Sequence, residues 1–103
     1  MTNSKEGSGW QIRYPDDFVE LVKRAFNKKE QVKILTKVEE LVPLQNPLIH
    51  PQVIPLMEQR LRGKYRMKFG DIRIVFSLDT KERVIQVELI ARRKDATYKR
   101  LSH

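Results

Sequence analysis

The side chains best suited to chemistry lie in one stretch, "LRGKYRMKFGDIRIVF", residues 61–76, which holds six charged residues, five of them basic. It alternates as a β-hairpin does around Gly70 and Asp71. Successive strand side chains point to opposite faces. Tyr65, Met67 and Phe69 therefore share one face with Ile72, Ile74 and Phe76, while Arg66, Lys68 and Arg73 meet on the other with Val75 and Ser77. Like charges on neighbouring sites repel, and a bound phosphate recovers that cost. Guanidinium forks bind phosphate oxygens in pairs, and lysine adds a point charge. Arg92, Arg93 and Tyr98 follow at the end of the next strand, within reach of the same face. A phenol with an ordinary pKa of about 10 is pushed toward phenolate by neighbouring cations, so Tyr98 is the candidate general base. A solvated basic face and a tyrosine docked on the core are the plain alternatives for each residue singly; the combination raises the chemical reading above them.

Other catalytic sets are missing. The chain has two histidines, His50 in a proline-rich segment and His103 at the end, and no cysteine, HExxH motif or glycine-rich phosphate loop. A zinc site is not expected, nor is any other metal or cofactor. His50 reads as a loop residue, and Trp10, Tyr14 and Tyr65 as packing residues.

Elements that would position these groups can be read along the chain. "WQIRY" (10–14) alternates and reads as a first strand, stopped by Pro15, with Asp16 placed to cap a helix. Phe18, Leu21, Val22, Ala25 and Phe26 recur at helical spacing. Asn27 and Glu30 form a capping box for a second helix, whose stripe runs through Ile34, Leu35, Val38, Leu41 and Val42. Pro43, Pro47, Pro51 and Pro55 predict a loop over 43–55, with a short helical turn around Leu56 to Leu61. Strands are expected over 64–69 and 72–78, and "VIQVELIA" (84–91), apolar on both faces, as a central strand. The basic segment after it is expected to leave the sheet. The order is β-α-α-β-β-β, an α+β fold with both helices on one face of the sheet.

The chain of 103 residues suits one small domain, expected over 10–103 behind a flexible tail at 1–9. The net charge of +8 is unevenly placed: residues 1–57 carry a net +1 and residues 58–103 a net +7. Such a surface concentrates polyanions, nucleic acid first and an acidic protein second. A membrane surface is not expected, because the basic residues fall on strands, no apolar run approaches the roughly 20 residues of a spanning helix, and residues 1–9 lack an apolar leader. The lack of cysteine fits a reducing cytoplasm.

In order and spacing, these segments resemble the RelE/ParE toxin superfamily of type II toxin–antitoxin systems. "LRGKYRMKFGDIRIVFSLD" is similar to its L-x-G-x-y-R-x-R/K-x-G-d-y-R-i-v-f pattern and "VELIARRKDATY" to its closing v-x-v-i-x-x-R-x-x-x-Y. "YPDDFVELVKRA" and "LVPLQNPLIHP" match its helical hairpin and following loop. The resemblance covers residues 10–100. It implies a microbial-RNase-like sheet under two helices. For the RelE branch it implies a ribosome-dependent, metal-independent endoribonuclease that stops translation. There the ribose 2′-OH of the A-site codon attacks the adjacent phosphate, leaving 2′,3′-cyclic phosphate and 5′-OH ends. Carried over by position, Arg66, Lys68 and Arg73 would hold the scissile phosphate. Arg92 or Arg93 would assist the leaving oxygen, the spacing to Tyr98 favouring Arg92, and Tyr98 would take the 2′-OH proton. Arg60, Arg62, Lys64, Lys94, Lys99 and Arg100 would contact RNA and the ribosome. The implied partners are mRNA, the ribosome and an antitoxin with an acidic toxin-binding segment, through which the complex reaches operator DNA. The alternatives are a ParE-like gyrase inhibitor acting by protein binding, or a catalytically inactive RNA binder. Lys68, Arg73 and Tyr98 favour the nuclease, since a gyrase binder needs no such set.

Overall fold

A computed structural model describes residues 9–57 and 59–95. The chain is α+β: five strands form one sheet in the order β1-β5-β4-β3-β2, and two helices cover one of its faces. Strand β1 (Gln11–Arg13) pairs in parallel with β5 (Val84–Arg92), and every other pairing is antiparallel.

Helix α1 (Phe18–Ala25) is short and buries Phe18 and Val22, with Phe26 at its C-cap carrying the stripe on. It begins one residue later than expected: Asp17, not Asp16, is the N-cap, and its side chain makes no capping bond. Ala25 is exposed. Helix α2 (Lys28–Glu39) opens on the anticipated capping box. The Asn27 side chain accepts from the Glu30 N–H at 2.8 Å, and the Glu30 carboxylate accepts from the Asn27 N–H at 3.0 Å. Two orphan donors are thus satisfied with no linker between the helices. Ile34, Val38 and Leu41 reach the core, whereas Leu35 is turned outward. One α-helical residue turns about 100°, so a stripe this narrow cannot hold both Ile34 and Leu35.

The proline-rich segment contains a strand that the sequence reading missed. After a 3-10 turn at Pro47–Ile49, β2 (Val53–Pro55) lies antiparallel to β3 (Lys64–Phe69) at the sheet edge. Pro55 is tolerated there because an edge strand has one side without ladder partners. The expected helical turn is confined to Gln59–Leu61.

β3 and β4 (Ile72–Asp79) form the hairpin with an unbroken register from Lys64↔Ser77 to Phe69↔Ile72. Gly70 opens the two-residue turn at φ 59°, the left-handed value that a glycine-first hairpin turn needs. Met67, Phe69, Ile72, Ile74 and Phe76 are buried against the helices, joined by Val53, Ile85 and Val87. Each such side chain contributes about 1.5–3 kcal/mol on burial, which fixes which hairpin face looks inward.

A cationic sheet face and an arginine clamp

The opposite face of the hairpin gathers Lys64, Arg66, Lys68, Arg73, Val75 and Ser77. Lys68 stands directly across from Arg73, and Arg66 lies between Ile54 of β2 and Val75 of β4. Cross-strand partners sit with their Cβ atoms about 4.5–5.5 Å apart, so Lys68 and Arg73 repel at close quarters. Lys68 is exposed, while Arg66 and Arg73 are half-buried. Arg73 folds back on the turn, its Nη1 donating to the Gly70 carbonyl at 2.9 Å and the Ile72 carbonyl at 3.1 Å. That occupies one of its nitrogens and orients the guanidinium, whose other donors can serve a ligand. Lys68 is braced through its backbone. Its N–H donates to the Gln52 carbonyl at 3.1 Å, and its carbonyl accepts from Gln52 Nε2 at 3.1 Å.

Two expected members of the basic surface behave otherwise. Lys64 is neutralised: its Nζ lies 2.6 Å from Glu88 Oε1, and the other Glu88 oxygen accepts from the Ser77 hydroxyl at 2.7 Å. Glu88 escaped sequence reasoning, hidden in an apolar run. The second is Arg92, expected on the open face. Between Val75 and Phe76 the β4–β5 register shifts: Val75 pairs Leu89 and Phe76 pairs Val87, leaving Glu88 as the extra residue of a β-bulge. One extra residue inverts the alternation beyond it. Ile85 and Val87 face the helices before the bulge; past it, Ile90 and Arg92 do.

Arg92 is accordingly built into a clamp. Its guanidinium binds both oxygens of Glu30 at 2.8 and 3.0 Å, the Ala25 carbonyl at 3.0 Å and Asp71 at 3.3 Å, and lies 4.8 Å over the Phe26 ring. The Arg92 hydrogen bond, then the Asn27 N–H, hold the Glu30 carboxyl below its ordinary pKa; the same carboxylate raises that of Arg92. Strand end, helix hairpin and β3–β4 turn are tied at one point. Arg93 comes next, exposed at the start of a 3-10 turn, its N–H donating to the Asp71 carbonyl at 2.6 Å. Arg93 is thus the exposed tail arginine, where Arg92 is committed to Glu30.

Of the other anticipated contacts, Arg62 and Lys94 are exposed, and Arg60 falls in the turn Gln59–Leu61. Tyr98, Lys99 and Arg100 lie outside the described residues, as does the expected tail except Gly9. His50 is structural: its Nδ1 accepts from the Gln52 N–H at 3.1 Å and its Nε2 meets Glu40 at 2.9 Å. That contact is the first cause of the lowered Glu40 pKa. Trp10 is buried beneath Arg83, Tyr14 stacks on Phe18, and Tyr65 packs on Phe76.

Neither a family model nor a curated protein sequence matches the chain. Solved structures do. The archaeal RelE–RelB complex from Pyrococcus horikoshii aligns with a TM-score of 0.66 at 21% identity, over 85% of this chain and 99% of that one. The chain has the RelE fold. A double arginine-to-alanine mutant of the E. coli toxin RelE in the free state gives 0.65 at 13% identity, over 90% of each chain. The toxin–antitoxin complex RelBE2 from Mycobacterium tuberculosis gives 0.56 at 15%, over 82% of this chain and 99% of that one. Within this RelE fold the cationic hairpin face lies on the side away from the helices. Among the described residues, no helix is long and apolar enough to cross a membrane.

Proposed function

We propose that this chain is the toxin of a toxin–antitoxin pair and cleaves mRNA on the ribosome without a metal ion. The observation that carries the reading is the set Arg66, Lys68 and Arg73 on one open sheet face, with Lys68 and Arg73 directly opposed. Such a pairing costs stability unless an anion is held there. The RelE fold supports it, since solved relatives of that fold are toxins, some in complex with antitoxins.

In the reaction the 2′-oxygen attacks phosphorus in line and the 5′-oxygen leaves. Negative charge accumulates on the phosphoryl oxygens, and fixed cations there act mainly on the transition state. Arg66 and Arg73 suit bidentate contact with those oxygens, and Lys68 the point charge between them. Arg93 is favoured over Arg92 for the leaving side, because Arg92 is committed to Glu30. Tyr98 is the sequence-derived candidate for the base. Much of the acceleration would come from the ribosome holding the mRNA in line, so free RNA is cut slowly. The partner that silences the toxin is an antitoxin with an acidic segment for this face.

The test supplies mRNA with and without ribosomes and maps the ends. Cuts in the A-site codon, leaving 2′,3′-cyclic phosphate and lost in Arg73→Ala, support the enzyme. Intact mRNA with blocked gyrase supercoiling would replace it by the protein-binding inhibitor.

A further inference from the structure

Glu88 is an acidic side chain set in the middle of a cationic face, and neither stability nor RNA affinity accounts for it. A half-exposed ion pair such as Lys64–Glu88 returns little stability. A carboxylate beside a phosphate cradle weakens phosphate binding. Yet the fold holds it in place. Glu88 lies on the open face by alternation from Val87, at the point where the β5 bulge interrupts the ladder. Both of its oxygens are held, one by the Lys64 ammonium and one by the Ser77 hydroxyl. Neutralising Lys64 needs no second anchor; fixing the direction of a carboxylate does. Its side chain is 21% exposed, so an edge of it stays open to a ligand on the face.

Its distance from the cradle is also suitable. Lys64 and Arg66 are two residues apart on one face of β3, a step of about 6.6 Å. Glu88 touches the Lys64 head, which puts the carboxylate about one such step from the Arg66 position. The 2′-oxygen next to a phosphorus held by Arg66, Lys68 and Arg73 would fall in the gap between cradle and carboxylate.

We propose that Glu88, held by Ser77 and Lys64, is the general base that accepts the 2′-OH proton of the RNA. The inference rests on the mRNA-cleavage reading above and replaces Tyr98 in that one role. In the step, the 2′-oxygen–phosphorus bond forms as its proton passes to a Glu88 oxygen. The bond from phosphorus to the 5′-oxygen breaks with its electron pair on that oxygen, which Arg93 stabilises while a water molecule protonates it. The hydroxide so formed takes the proton from Glu88.

The experiment compares wild type, Glu88→Gln, Glu88→Asp and Tyr98→Phe on mRNA-programmed ribosomes. Binding is measured separately with mRNA carrying a 2′-deoxy sugar at the scissile position. The expected result for Glu88→Gln is a cleavage rate at least about 100-fold lower, with binding unchanged or tighter because a negative charge has left the face. Glu88→Asp keeps part of the rate. A neutralising role alone predicts the reverse, tighter binding with cleavage kept, and cleavage within a few-fold of wild type overturns the assignment. So does a loss of cleavage matched by an equal loss of binding. Should Glu88→Gln not fold, Lys64→Gln/Glu88→Gln removes the pair as a unit and is judged by the same split. If wild type itself leaves the mRNA intact, the cleavage reading fails and the base falls with it, an outcome distinct from a variant that cleaves normally.

Discussion

The clearest quantitative consequence of the face concerns salt. Binding of a single-stranded nucleic acid releases counterions, and the logarithm of affinity falls against the logarithm of salt with a slope of about −0.7 per phosphate neutralised. Arg66, Lys68 and Arg73 would together give a slope of about −2, an affinity loss near 20-fold between roughly 50 and 200 mM salt. Lys64 adds nothing, because Glu88 already neutralises it at 2.6 Å. Fluorescence anisotropy with a non-cleavable single-stranded RNA measures the slopes. Lys68→Ala should make the slope shallower by about 0.7, cutting the loss over that range to about 7-fold. Lys64→Ala should leave it unchanged, and Glu88→Gln, which releases Lys64, should steepen it by about 0.7. Other basic residues, Arg62 and Lys94 among them, contribute equally to every variant and cancel in the differences. Equal shallowing by Lys64→Ala and Lys68→Ala would refute the reasoning, as would an unchanged slope in Glu88→Gln.

The two tail arginines should separate by assay: Arg92→Ala lowers the melting temperature by opening the clamp to Glu30, Ala25 and Asp71, while Arg93→Ala melts as wild type and loses cleavage. Acid should weaken the fold. Glu30 and Glu40 have folded pKa values below the ordinary 4.5, so their stabilisation is complete above that value and is lost as pH falls from it through the lower folded values. Denaturant titrations across that window should show the decline, and Glu30→Gln should start less stable and flatten it. Met67, fully buried beneath the helices, should cost about 2–5 kcal/mol as Met67→Ala, read by urea unfolding.

Sequence pattern carried furthest where one period ran without interruption. The β3–β4 hairpin keeps one-to-one pairing over six residue pairs, so alternation alone places Arg66, Lys68 and Arg73 together. The capping box at Asn27 and Glu30 joins two helices at the stated residues because its two hydrogen bonds are local. Strand β2 was illegible for two reasons. Three residues are too few to show a period, and Pro51 before the strand and Pro55 at its end read as loop until an edge position is known. Leu35 fell into the wrong class because helical spacing leaves the edge of a stripe undefined until the opposing sheet fixes its width.

The membership of the open face depends on one inserted residue. "VIQVELIA" is apolar at nearly every position, so its own pattern does not reveal which residues face the helices. Counted without a break from Ile85, Arg92 belongs on the open face with the cradle. The bulge at Glu88 inverts that count past it: Arg92 turns under the helices, while Glu88, on the open face by either count, stays among the cations. Arg92 then finds Glu30, which the capping box has already turned toward the start of α2, and Asp71 in the hairpin turn. The Phe69–Ile72 end of the hairpin, which carries Lys68 and Arg73, is thereby fixed to the helices through a residue on the opposite face. A cradle for a phosphate needs that rigidity, because opposed cations left mobile would splay apart. Deleting Glu88 should take away the carboxylate and leave that brace standing. Phe76↔Val87 and Val75↔Leu89 become neighbouring pairs of an unbroken ladder, so Arg92 stays across from Ile72 and bound to Glu30, and the melting temperature should hold as it does in Glu88→Gln.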